Sequence, residues 1–253
     1  MAASVSHPKP WHGIIHLLIF VWYMFTLCYN CSQLISSRHP GTQSYGGRWK
    51  YLTFINLVLQ TVFFGVCFVT DVTQLFPLRV VSSFLTKLRN VLFSVLAFPL
   101  GSFVFLSFWS IYLYDRELVY PKRLDDIIPV WLNHALHTVI LPLVLVQLCL
   151  QPHQYPSRKK GILGLALFIA LYLAWVLWIH HVSGIWVYPI LAHLSSVGFV
   201  VFLAASAISL APLYLLGEML SHLRWGGDLN KPVLAPGSSG SKDSKRGKKK
   251  KKI

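Results

Sequence analysis

A chain of 253 residues with 55% hydrophobic and only 12% charged side chains, at a mean hydropathy of +0.56, carries roughly half the charged fraction of an ordinary soluble domain. It cannot cover a water-facing surface. The formal net charge of +15 would fit a nucleic-acid binder if it were spread over a folded face, but ten of the 23 basic residues lie from Arg224 onward, so a basic tail follows an apolar body and nucleic acid is not the expected partner.

The apolar runs predict an all-α fold, a polytopic membrane helix bundle of about six spans, each near the 20 residues that a bilayer requires. In chain order they fall near residues 13–33, 51–70, 90–114, 128–150, 161–182 and 190–220. No small-residue cleavage site follows the first run, which is therefore expected to be a retained helix rather than a signal peptide. The third and sixth are over-long and interrupted by Pro99 and Pro212, so kinks or re-entrant turns are expected there. Arg79, Lys87, Arg89, Arg158, Lys159, Lys160 and the tail fall on the side of the N-terminus, against Arg38, Arg48, Lys50, Arg116, Lys122 and Arg123 on the other. This bias predicts both termini in the cytosol. Two units follow: a six-helix membrane domain over 1–225, and a disordered polybasic cytosolic tail over 226–253. Such a tail is drawn to anionic lipid by about 1 kcal/mol per basic residue. Lys250 and Lys251 also have the spacing of a dilysine retrieval signal, which leaves the endoplasmic reticulum and the plasma membrane as the expected locations.

Cys28, Cys31, Cys67 and Cys149 stand in or beside apolar runs and form no spaced disulfide framework. The single CxxC of Cys28 and Cys31, without a second pair or a nearby histidine, reads as packing or acylation rather than a metal site. His134 and His137 lie three residues apart with no accompanying carboxylate, and His180 and His181 point to different faces. No metal and no cofactor is therefore expected.

Polar side chains inside the spans carry the functional reading, because an ionisable group in a bilayer is costly. In the fourth span Asn133, His134 and His137 share one helix face, and in the second Thr53 and Gln60 are nearly eclipsed with Asn56 on the adjoining flank. In the predicted topology both spans start on the outer side, which puts Thr53 and His137 at similar depth, about 1.5 Å per residue below the surface. A hydroxyl beside an imidazole is a possible nucleophile–base pair. No acid adjoins them, so the orienting group could be Asn133, a backbone carbonyl, Asp71 or Asp115. The same residues also suit a purely structural role as interhelical links.

The strings Arg48-Trp49-Lys50-Tyr51-Leu52-Thr53, Leu96-Ala97-Phe98-Pro99, Tyr120-Pro121-Lys122, Trp131-Leu132-Asn133-His134-Ala135-Leu136-His137, His153-Gln154-Tyr155-Pro156-Ser157, Trp186-Val187-Tyr188-Pro189 and Tyr214-Leu215-Leu216-Gly217-Glu218 resemble, in order, the androgen-induced and androgen-dependent TFPI-regulating membrane protein family. The resemblance spans about residues 15 to 225 and implies a multipass hydrolase of fatty acid esters of hydroxy fatty acids, with Thr53 as the threonine nucleophile and His137 as its histidine. Asn56, Asn133 and His134 are then candidates for supporting or oxyanion-stabilising roles. The implied substrate is a lipid ester entering from the bilayer. A non-enzymatic membrane regulator or lipid-binding protein, for example in coagulation control, is the alternative. A transporter is a third reading, disfavoured by the lack of repeated halves.

Overall fold

The computed structural model describes residues 10–32 and 40–229, and every regular element among them is helical. Five helices among the described residues are long and apolar enough to cross a membrane, six if the bent pair Val130–His137 with Ile140–Leu150 counts as one span. The spans are Trp11–Cys31, Leu52–Gln74, Val80–Tyr114, Val130–His137 with Ile140–Leu150, Arg158–Ser183 and Ser196–Gly226. The helix of the last span continues through Leu229, while the dilysine-like motif and most of the polybasic tail lie outside the described residues.

Prolines account for where the spans depart from simple rods. The third helix begins well before the expected residue 90, as Arg79–Val91, and then passes through a π-helical stretch, Leu92–Ala97, into Phe98–Tyr114. In that stretch the Phe98 N–H donates to Phe93 O, five residues back. Pro99 has no N–H to offer Val95 O and its ring crowds that carbonyl. The wider π turn accommodates both defects and keeps the helix continuous. The fourth span, read from sequence as one run, is instead two helices bent by 43° at Thr138–Val139. Pro142 explains the position, since its ring would strike the carbonyl of Thr138 four residues earlier, whereas in the first turn of a new helix its missing N–H costs nothing. The sixth span starts at Ser196 rather than near 190. Pro189 opens a separate short helix, Pro189–His193, and an extended Leu194 breaks the chain before the span begins.

The first span lies along the second. Between them and the third and fourth, Tyr23, Phe63, Phe64, Phe93, Phe98 and Leu132 form the main buried cluster. The last span packs on the third and fifth through Val95, Leu100, Leu165, Leu210 and Tyr214. Because lipid is as apolar as leucine, close approach rather than water exclusion drives such contacts. Gly161 faces the Tyr214 ring, and a Cβ on Gly217 would lie 2.6 Å from Phe98 Cδ1. The opposite faces of these outer helices, with Leu163, Leu167, Leu171, Val197, Val201 and Ile208, are exposed apolar surface that suits lipid contact.

Candidate functional site

A cavity of about 510 Å³ lies at the end of the bundle where the second, fourth and sixth spans begin. Its walls include Thr53, Phe54, Phe108, Asn133, Leu136 and His137, closed over by Tyr120, Trp186 and Tyr188 from the connecting loops.

The fifth span fixes the start of the Thr53 helix. The Leu52 N–H donates to the hydroxyls of Tyr172 and Tyr188, at 3.0 and 2.9 Å, while Tyr172 Oη donates to Lys50 O at 3.1 Å. Trp175 Nε1 donates to Trp49 O at 3.1 Å. These aromatics form a strap that holds residues 49–52 against the bundle. Tyr172 was not legible as part of the site, because only the folded crossing of the fifth span brings it there. Thr53 is the second residue of Leu52–Gln74, where a backbone N–H has no partner within its own helix.

His137 ends the first half of the broken span. Its Nε2 lies 3.3 Å from Thr53 Oγ1. Its Nδ1 lies 2.8 Å from Asn133 Oδ1 and 3.0 Å from Asn133 O, both acceptors. The proton therefore sits on Nδ1, and Nε2 is left as an acceptor toward the threonine hydroxyl. The ring stacks on Phe108 with centroids 3.6 Å apart and planes within 9°, so it is held by edge and by face. Of the groups considered for orienting the ring, Asn133 makes the contact, through both its amide oxygen and its backbone carbonyl. Asp71 is far down the second helix, bound to His16 at 2.5 Å, and the Asp115 carboxylate accepts from the Glu117 N–H.

The other sequence candidates lie outside this contact. Asn56 is fully buried one turn deeper, accepts from Gln60 Nε2 at 3.3 Å and keeps an unpartnered Nδ2, but it is not in the cavity wall. His134 faces away, with Nδ1 2.9 Å from Thr138 Oγ1 and its ring on Trp109. His180 stacks on Trp186 at 3.6 Å, and among the described residues no group of three His, Cys, Asp or Glu could hold a metal ion.

Arg48, Lys50 and Arg123 also line the cavity, and among the described residues no aspartate or glutamate does. In the sequence these three stand out as loop charges, with Arg48 and Lys50 also in the string that precedes Thr53. Burial pushes the Lys50 amine below its ordinary range, and its Nζ donates to Gly41 O at 2.7 Å and to Ser44 Oγ. Burial likewise raises the Tyr120 phenol to about 12, so it stays neutral and able to donate.

Fold and site together define a polytopic helical membrane protein with a largely apolar cavity that carries three cationic side chains and in which a threonine meets an oriented histidine. Residues 12–222 match the FAR-17a/AIG1-like protein family, and the chain belongs to it. It is 45% identical over 219 residues to the androgen-dependent TFPI-regulating protein of Homo sapiens, an alignment covering 87% of this chain and 95% of that one. It is 43% identical over 221 residues to the Homo sapiens androgen-induced gene 1 protein, covering 84% and 90%. A UPF0641 membrane protein of Schizosaccharomyces pombe is 25% identical over 226 residues, covering 87% and 94%. No solved structure matches the chain.

Proposed function

We propose that this protein is an integral membrane hydrolase that cleaves fatty acid esters of hydroxy fatty acids, with Thr53 as nucleophile and His137 as general base. One observation carries the reading: Thr53 Oγ1 sits 3.3 Å from the Nε2 of a histidine whose Nδ1 is engaged by Asn133. A merely structural threonine in a membrane helix bonds its own backbone, as Thr61, Thr70 and Thr86 do here.

In the proposed reaction His137 Nε2 takes the proton of Thr53 Oγ1 as that oxygen bonds to the ester carbonyl carbon. The tetrahedral adduct collapses, the alkoxide of the hydroxy fatty acid leaves with the proton returned by His137, and an acyl-threonine remains. Water, deprotonated by the same Nε2, releases the fatty acid and restores the hydroxyl. The Thr53 N–H at the helix start, in the positive field of that terminus, is the donor best placed by sequence position for the oxyanion. Asn133 is committed to His137, His134 lies outside the cavity, and Asn56 sits behind its wall. Taken with the loop-charge bias, which puts both termini in the cytosol, the cavity faces the outer leaflet, where the ester enters from lipid and water from the surface.

The test is hydrolysis of an ester panel by purified protein in lipid nanodiscs, with covalent labelling by a fluorophosphonate. Wild type is expected to release hydroxy fatty acid and to be labelled at Thr53. Thr53→Ala is expected to fall to background, and His137→Ala to lose about 10²–10⁴-fold in turnover, both with unchanged thermal unfolding. Lipid binding without turnover by well-folded wild type would instead establish the non-enzymatic lipid-binding reading.

A further inference from the structure

Among the groups lining the cavity, Arg48 is the one whose side chain is least explained by the fold. It lies in the 3₁₀ turn Gly47–Lys50, just before the Thr53 helix. Its Nε and Nη2 are buried, and neither has a hydrogen-bond partner. Those two nitrogens form one edge of the guanidinium, with parallel N–H bonds that match the two oxygens of a carboxylate. Lys50 is already engaged by Gly41 and Ser44, and no acid in the cavity wall neutralises Arg48. Arg48 as a whole is half-buried, but a guanidinium edge buried without a partner is unfavourable, and an anionic ligand removes that penalty. Arg123, exposed on the turn Lys122–Leu124, adds a further positive charge to the same cavity.

We infer that Arg48 is a specificity-determining residue that receives a free carboxylate of the lipid ester, so that acid-bearing esters are selected over neutral ones. This rests on the hydrolase reading for its kinetic readout, though not for its binding one. A carboxylate on the Arg48 fork anchors the polar end of the ligand within the cavity whose wall holds Thr53 and His137. The acyl chains then run along the apolar walls toward lipid. A neutral ester or triglyceride gains nothing from the Arg48 edge, so the preference for the acid is the pairing that the acid alone makes.

The test pairs one branched ester bearing a free acid with its methyl ester, on wild type, Arg48→Gln and Arg48→Lys. Wild type is expected to prefer the acid, and Arg48→Gln to raise KM for the acid by roughly 10-fold or more while leaving the methyl ester and kcat nearly unchanged. Arg48→Lys, a point charge without the fork, should restore the preference only in part. Equal loss on both substrates, or no acid preference in wild type, overturns the inference. Binding of a non-hydrolysable ether analogue, as acid and as methyl ester, separates the two levels of the claim. Acid-selective binding that Arg48→Gln abolishes upholds the carboxylate site even where no turnover is seen. Competition by a lysophospholipid phosphate with none by the carboxylates assigns the fork to a phosphate headgroup and overturns it.

Discussion

His137 works, in the proposed reaction, only while Nε2 faces Thr53, and two contacts enforce that pose. Asn133 accepts from Nδ1, and Phe108 lies flat against the ring at 3.6 Å. In that reaction Asn133 positions the imidazole, so its replacement should act on turnover rather than binding. Asn133→Ala is expected to lower kcat by about 10² with KM little changed, whereas Asn133→Asp, which keeps an acceptor at the same reach, should restore most of it. Steady-state kinetics beside thermal unfolding decides the matter. Parallel loss of Tm and activity that Asp does not rescue would make Asn133 a structural residue. The Asn133–His137 register was legible, because residues four apart share a helix face. Phe108 was not, since its stacking depends on how the third span crosses the fourth, which no local pattern encodes.

At the scale of elements, the spans were legible as apolar runs, and their irregularities were only half so. Pro99 and Pro212 drew attention to the third and sixth spans, yet the third absorbs its proline in a π turn and the sixth runs unbroken through Pro212. The real break follows from Pro142, whose clash falls four residues upstream beside His137 and lets the half-helix end at the cavity. Charge pairing also ties the fifth and sixth spans, where Glu218 accepts from Arg158 Nε at 2.7 Å. Helix contacts hinge on small residues that sequence alone does not rank. A Cβ at Gly217 would meet Phe98 Cδ1 at 2.6 Å and Tyr155 Oη at 2.7 Å, whereas one at Gly226, further along the same helix, meets nothing within 4 Å. Gly217→Ala should therefore destabilise by about 1–3 kcal/mol, read as a lower Tm in detergent, and Gly226→Ala should not lower it. Equal effects would show that helix propensity, not the approach to Phe98, dominates at Gly217.

The whole molecule separates two polar centres by an apolar, aromatic core. One is the cavity with Thr53 and His137. The other lies at the opposite end, where the first span starts and the second and fourth finish. There Asp71 binds His16 at 2.5 Å and accepts from Gln151 at 3.2 Å, His16 reaches Gln147 at 2.7 Å, and Gln147 Nε2 donates to His153 Nε2 at 3.2 Å. Burial drives the His153 imidazole toward its neutral form, consistent with accepting that bond, and its ring stacks on Phe93 at 3.8 Å. This second centre ties three spans and a loop together by mutual hydrogen bonds, far from the cavity that holds Thr53 and His137, so we assign it to stability. Asp71→Ala would strand His16 and Gln151 without their shared acceptor, a loss of about 3–5 kcal/mol for a buried pair broken on one side. Asp71→Asn, which keeps one acceptor oxygen, should lose less. Both variants are expected to unfold at lower temperature, yet to retain the turnover of wild type per folded molecule, because the damage lies at the far end of the bundle from Thr53. The measurement is thermal unfolding alongside ester hydrolysis normalised to folded protein. A variant of unchanged Tm that has lost turnover would join the two centres in one mechanism and defeat this division of labour.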